Sequence, residues 1–254
     1  MTDSAFQSLD LTDQTIIVTG AGSGIGRTSA ALLAARGAQV IVADFNEEGG
    51  AETVDEISSA GGTSIFVPVD VSIEESVREL VAKTIETYGG LHGAFNNAGI
   101  GPQSELHLTT AEQWNHTLGI NLTGVFYCMK HEIAHMLEHG GGSIVNTSSL
   151  SANNTVPGMP AYIASKSGVV GLTRSASLDY SKRGIRVNVI LPGTIRTPML
   201  AAVLEDPVMA AALEAAMPLG NPIDIAEQAA WLLSDAAKFT TGAQFFVDGG
   251  ASVL

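Results

Sequence analysis

Short apolar runs alternate along this chain with longer stretches whose apolar positions recur at helical spacing. Thr15-Ile-Ile-Val-Thr19 is suited to a buried strand and enters Gly20-Ala-Gly-Ser-Gly-Ile-Gly26. Ala30, Ala31, Leu32, Leu33 and Ala34 then mark a helix ending near Gly37, before a second strand at Gln39–Asp44. A Glu-rich helix follows, then a strand at Ser64–Val67. Ser72 and Glu75 have the spacing of a capping box opening a helix through Tyr88. His92–Phe95 predicts a fourth strand, and Thr110 with Gln113 predicts a second capping box, heading a long helix that reaches about Glu138. Strands at Ser143–Thr147 and Ile185–Leu191 flank a further helix; Asn221-Pro222 starts another, and Gln244–Val247 is the last strand. Residues 1–13 are polar and expected to be loosely held. The alternation predicts an α/β fold, a doubly wound, mostly parallel sheet with helices on both faces.

A chain of 254 residues without repeats or a long linker suits one domain, residues 1–254, with a large core. A net charge of -14 argues against nucleic acid or an anionic membrane as the main partner. The single Cys128 cannot close an internal disulfide, which points to a reducing compartment. There is no charged-then-apolar signal at the N-terminus and no apolar run of the ~18 residues that span a bilayer. The expectation is a soluble, cytoplasmic protein.

The first candidate chemistry is Tyr162-Ile-Ala-Ser-Lys166, in a helix with Pro160 placed for its first turn. Four residues make about one turn, roughly 6 Å of rise, so phenol and ammonium share a face. A neighbouring cation favours the phenolate of a group whose free pKa is ~10, which makes Tyr162 a candidate acid/base. The spacing alone is common on exposed helices. The second candidate is Gly20-x-x-x-Gly24-x-Gly26, where backbone without Cβ atoms meets a helix N-terminus and can take a pyrophosphate. No register gives the usual G-x-G-x-x-G, and a plain tight turn is the alternative, made the poorer one by position after the first strand. Asp44 ends the second strand 24 residues past Gly20. An acid there can accept from a ribose 2′-OH or cap the next helix, and the two readings stand level.

Thr19-Gly20-x-x-x-Gly24-x-Gly26, Asn96-Asn-Ala-Gly99, Asn121, Ser149, Tyr162-x-x-x-Lys166 and Pro192-Gly193 together resemble the short-chain dehydrogenase/reductases, in their single-domain branch, from about Leu11 to Gly250. The resemblance implies a Rossmann fold and an NAD-dependent oxidoreductase acting on a CH–OH group. By similarity Tyr162 exchanges the proton of the substrate hydroxyl. Lys166 would hold the nicotinamide ribose and, with the oxidised nicotinamide, lower the phenol's pKa. Ser149, 13 residues before Tyr162, would hydrogen-bond the substrate oxygen, with Ser148 the poorer choice by spacing. Asn121 would sit at a helix irregularity and hold a water leading to Lys166. Implied on the cofactor are Gly20, Ser23, Gly24, Ile25 and Gly26 of the loop, then Asp44 and Phe45, then Asp70 and Val71. Asn97, Ala98 and Gly99 would shape the adenosine side, while Pro192, Gly193, Ile195 and Thr197 would close over the nicotinamide amide. Asp70 could equally cap the following helix. NADP-using relatives often carry a basic residue where this chain has Ser23 or Phe45, so NAD is the expected cofactor.

Residues 194–219 are expected to cover the substrate with Met199, Leu200, Val203, Leu204, Val208, Met209, Leu213 and Met217. No Lys or Arg lies between Thr197 and Leu219, and Arg196 is the nearest cation, which favours an uncharged, largely apolar secondary alcohol or ketone. A ring alcohol, a diol or an aryl alkyl carbinol would suit. The alternatives are a 3-oxoacyl-thioester reductase, which -14 fits badly, and a catalytically silent dinucleotide-binding protein, which would tend to lose Tyr162 or Lys166. His131, His135 and His139 recur at i, i+4, i+8; with no activating partner evident they read as a solvated or subunit-facing stripe and not a metal site. Val125, Phe126 and Met129 are expected to face the core beside a buried Cys128. The family is commonly tetrameric, so a homotetramer is the expected assembly.

Overall fold

Period-two alternation divides the apolar side chains of each strand between two layers. In β1 (Thr15–Thr19), Ile17 joins one layer while Ile16 and Val18 join the other. The structure, a computed structural model, describes residues 9–216 and 218–253. Strands β2 (Gln39–Asp44), β3 (Thr63–Pro68), β4 (Gly93–Asn96), β5 (Gly142–Thr147) and β6 (Ile185–Pro192) follow. A short pair, β7 (Thr194–Ile195) and β8 (Leu219–Gly220), precedes β9 (Gln244–Val247). Seven of them form one sheet in the order β3-β2-β1-β4-β5-β6-β9, and every neighbouring pair is parallel. The order reverses between β1 and β4, so the carboxyl ends of these two strands open the crevice where such sheets bind ligands.

Helices α1 (Gly24–Ala35), α2 (Glu47–Ser59) and α9 (Pro222–Leu233) cover one face through Leu33, Ile57 and Ile225. Helices α3 (Glu74–Tyr88), α5 (Gly124–Glu138) and α6 (Pro160–Tyr180) cover the other through Leu80, Met129 and Val169. The Thr110–Gln113 capping box is present, but α4 (Ala111–Leu118) is short. A π-helical turn, Gly119–Thr123, separates it from α5, so the single long helix expected from the pattern is interrupted. Ser72 does not cap α3: its hydroxyl donates to Asp70 Oδ1 at 2.6 Å, and the N-cap position falls to Ile73. Leu11, expected in a loose polar segment, is buried, and its N–H donates to Arg36 O at 2.8 Å. Phe126 is also unlike the expectation, standing 45% exposed while Val125 and Met129 face the core. Helices α7 (Ala201–Glu205) and α8 (Pro207–Ala216) make up most of the expected substrate cover. Met217 and the side chains of Val203 and Met209 lie outside what is described. Among the described residues, no helix is long and apolar enough to cross a membrane.

Candidate active site

The glycine loop joins β1 to α1 with Gly20 and Gly24 in left-handed conformations, φ 67° and 51°, which L side chains rarely adopt. A Cβ at Gly26 would lie 2.0 Å from Gly20 O, and one at Gly20 would lie 2.9 Å from Ala98 Cα. The first bond of the α1 ladder runs from Arg27 N–H to Ser23 O at 3.1 Å, leaving the N–H groups of Gly24, Ile25 and Gly26 ahead of it. This cradle fits the pyrophosphate of a dinucleotide: close backbone, no side chain in the way and forward-pointing donors. Asn97 and Ala98 hold it from β4. Their N–H groups donate to Thr19 Oγ1 at 3.0 and 3.2 Å, and Asn97 Nδ2 donates to Thr19 O at 3.2 Å.

Asp44 is not the N-cap of α2, a position taken by Asn46. Its Oδ2 accepts from Gly22 N–H at 2.7 Å and its Oδ1 from Asn46 N–H at 2.8 Å. The carboxylate therefore ties the glycine loop to the end of β2. Phe45 beside it is 79% exposed. Arg27 donates to Gly22 O at 2.6 Å and pairs with Glu52 at 2.7 Å. Asp70 is occupied by the Ser72 N–H and hydroxyl, and Val71 is buried against Gly124.

Tyr162 and Lys166 share one face of α6, with the ammonium 5.8 Å from the ring centroid. Lys166 is 3% exposed. Its Nζ donates to Thr147 O at 2.8 Å, and burial holds its pKa down at about 8. In the chain by itself, burial pushes the Tyr162 pKa up and the Ser149 hydroxyl pulls it down. The desolvation of the phenolate outweighs its polar support. Ser149 caps a short 3-10 turn, its Oγ accepting from Ser151 N–H at 3.1 Å. Asn121 lies in the π-helical turn, fully buried, its Oδ1 accepting from Ile100 N–H and its Nδ2 donating to Ile100 O, both at 2.8 Å. A Cβ at Gly99 would lie 3.2 Å from Lys166 Nζ and 3.3 Å from Asn121 Oδ1, so these three meet at one point.

Thr197 lies across the cradle: a Cβ at Gly24 would be 3.3 Å from its Cγ2. Gly193 packs on Asp248, and Pro192 and Ile195 are buried, so any cofactor contact from Ile195 falls to its backbone. Several partners carry no motif of their own. Ser148 Oγ donates to Lys166 O at 2.7 Å, and Ser165 Oγ accepts from Asn121 Nδ2 at 3.1 Å. Glu132 is buried with Cys128 and Met136, a register at i, i+4, i+8 that helical spacing could have revealed. The histidine stripe divides. His131 faces Glu74 at 3.3 Å, while His135 and His139 stack with ring centroids 3.9 Å apart. Among the described residues, no group of three or more His, Cys, Asp or Glu could hold a metal ion.

A glycine cradle at the switch point, with a tyrosine, a buried lysine, a serine and an asparagine gathered beside it, defines a dinucleotide-dependent oxidoreductase site. The family model described as enoyl-(acyl carrier protein) reductase matches residues 20–252. The chain is 46% identical over 252 residues to 2,5-dichloro-2,5-cyclohexadiene-1,4-diol dehydrogenase of Sphingobium indicum, covering 96% of this chain and 99% of that one. It is 41% identical over 234 residues to cyclohexanol dehydrogenase of an Acinetobacter species, covering 92% of each. Among solved structures, levodione reductase superposes with a TM-score of 0.90 at 35% identity, over 95% of this chain and 98% of that one. The chain belongs to the short-chain dehydrogenase/reductase family, whose dehydrogenases act on CH–OH groups with a nicotinamide dinucleotide.

Proposed function

We propose that the chain oxidises an uncharged, largely apolar secondary alcohol to its ketone with NAD, and reduces the ketone in reverse. The observation that carries this is the convergence of Tyr162, Lys166, Ser149 and Asn121 beside the glycine cradle. When bound, the dinucleotide supplies the acceptor and donor of hydride. Tyr162 takes the hydroxyl proton as the carbinol hydrogen leaves with its electron pair, and returns it in reduction. Ser149, whose hydroxyl acts on the phenol, donates to the substrate oxygen and fixes it at bonding distance. Lys166, its ammonium 5.8 Å from the Tyr162 ring centroid, would hold the ribose hydroxyls and add positive charge beside the phenolate. Asn121 keeps the Ile100 backbone and Ser165 in place behind it.

The apolar substrate is supported by the walls around Tyr162. A Cβ at Gly101 would lie 3.3 Å from both Met159 Cε and Met199 Sδ, and 3.8 Å from Tyr162 Cδ2. Ser104 N–H donates to Gly158 O at 2.8 Å, tying the segment with exposed Leu106 and Leu108 to the one with Val156. Methionines and branched aliphatics suit a saturated or partly unsaturated ring, as in the ring-alcohol relatives. A net charge of -14 argues against a phosphorylated carrier arm as substrate, whatever the description of the family model. We include in the proposal a single domain over residues 1–254, a cytoplasmic location and a homotetramer. A groove of about 490 Å³ between α5 and α6, lined by Leu122, Phe126, Gly168, Gly171 and Leu172, supports the last. Apolar knob and glycine hollow lie on one face, as a two-fold contact between copies requires.

The test is a panel of cyclohexanol, cyclohexanediols and 1-phenylethanol with NAD and with NADP, followed by the absorbance of the reduced cofactor. Dinucleotide binding without turnover of any secondary alcohol would overturn the proposal.

A further inference from the structure

Glu132 lies on the core face of α5 and is 1% exposed. Asn96 Nδ2 donates to Glu132 Oε2 at 3.0 Å and to Asn146 Oδ1 at 3.1 Å. Asn146 Nδ2 donates in turn to Thr173 Oγ1 at 2.9 Å and lies 3.2 Å from Met129 Sδ. Both donors of the Asn96 amide are thus used, yet its Oδ1 is buried with no partner. Turning the amide over would set its oxygen against Asn146 Oδ1, so the orphan belongs to the carbonyl. A buried acceptor without a donor carries a full desolvation penalty, and native cores avoid it. One proton closes the network. A neutral carboxyl can donate its O–H to a carboxamide oxygen while its other oxygen accepts from the amide N–H.

We propose that Glu132 is a positioning residue that carries a proton and donates it to Asn96 Oδ1, locking the end of β4 on which the dinucleotide cradle rests. Asn96 is the last residue of β4 and pairs in register with Asn146. The next two residues hold Thr19, and Gly20 follows it against Ala98. Loss of the proton would set a carboxylate beside a carbonyl oxygen in a dry core. Asn96 would have to turn, and the seat of the cradle with it.

Among the described residues, the surrounding groups leave the carboxyl without a cation. Burial pushes it up to about 8, opposed only by the Asn96 hydrogen bond. Cys128, one turn earlier, is pushed up by its own burial and by Glu132. Lys130 and His131 turn out to Glu74 of α3. His135 faces His139 and His92. Lys166 of α6 donates to Thr147 O.

Glu132→Gln offers the same donor and acceptor as a neutral carboxyl but does not titrate. The probe is whichever of NADH and NADPH the wild type binds more tightly, titrated by fluorescence at pH 7 and pH 9.5. Infrared spectra of both proteins accompany it, read for the C=O band of a protonated carboxyl. The variant should bind within about twofold of wild type at pH 7, because the hydrogen bonds are kept. Between the two pH values, wild-type Kd should rise at least about fivefold more than the variant's; weakening from Lys166 is common to both and cancels. The carboxyl band should be present in wild type at pH 7 and missing in the variant. Glu132→Leu, of similar volume, should bind about tenfold more weakly at pH 7, the order of one orphaned buried hydrogen bond. The proposal is overturned by weaker binding of the Gln variant at pH 7, equal pH dependence in the two proteins, absence of the band, or full affinity in the Leu variant. Should the Leu variant fail to fold, the Gln comparison decides alone.

Discussion

Removing the carboxylate of Asp44 separates two effects that one side chain combines. The first is discrimination. A ribose 2′-hydroxyl can donate to the carboxylate, whereas a 2′-phosphate brings nearly two negative charges against it. At about 5 Å and an effective dielectric of about 40, between the surface and water limits, that repulsion is about 3 kcal/mol, or about a hundredfold in affinity. Arg27 cannot offset it without giving up Gly22 O and Glu52. The second effect is support. Asp44 accepts from Gly22 N–H and Asn46 N–H, and hydrogen bonds to a charged group contribute about 1.5–3 kcal/mol each. Asp44→Ala should therefore lose most of the NAD preference and also bind NAD at least about tenfold more weakly. Asp44→Asn keeps one acceptor for the Gly22 N–H and removes the charge. It should lose the preference while keeping more of the affinity. The assay is the ratio of kcat/KM with NAD and NADP for the three proteins, beside Kd for each dinucleotide. A wild type that prefers NADP, or an Asn variant that keeps a hundredfold preference for NAD, would refute the reasoning.

Gly26→Ala should bind dinucleotide at least about a hundredfold more weakly, because its Cβ would meet Gly20 O at 2.0 Å and the loop must open; isothermal titration measures it. Lys166→Met should be inactive yet more stable by about 1–3 kcal/mol at pH 7, since a buried ammonium disfavours the fold. The folded pKa, about 8, lies below the ordinary ~10.4, so wild-type stability should recover as pH rises between them and the variant's advantage should shrink. Denaturant melts of both proteins at pH 7 and pH 10.5 read the sign, and a less stable variant at pH 7 contradicts it. Burial raises the phenol's pKa, so with chemistry limiting the rate, alcohol oxidation should rise with pH and ketone reduction fall. A deuterated alcohol that slows the reaction establishes that condition, and a flat profile under it contradicts phenolate chemistry.

The strands and the site differ in how far the sequence discloses them. β1, β2 and β9 fall on the residues predicted, because a short parallel strand reads as an apolar run bounded by turn residues. The apolar spacing runs on through Gly119–Thr123 and does not locate the interruption after α4, which only the family resemblance implied, at Asn121. Ser72 had the spacing of a cap but found a nearer partner in Asp70, a competition between local hydrogen bonds that spacing cannot decide. At the site, Tyr162 and Lys166 stood out by helical spacing and Asn121 only through the family resemblance, and the structure gathers the three. The environment was not legible. Burial of the phenol, which raises its pKa in the chain by itself, depends on residues far away in sequence. Glu132 and Ser165 act through other side chains and carry no motif.

In the proposed reaction Tyr162 performs the proton transfer of an alcohol dehydrogenase whose cofactor is held elsewhere. The direct measurement is the single-turnover rate of cofactor reduction with cyclohexanol, or the best substrate of the panel, in wild type and Tyr162→Phe. Dinucleotide affinity is measured on the same samples. Tyr162→Phe should lose at least about a hundredfold in rate, the scale of one general acid/base, with affinity unchanged within about twofold. A Tyr162→Phe enzyme that turns over within tenfold of wild type would contradict it.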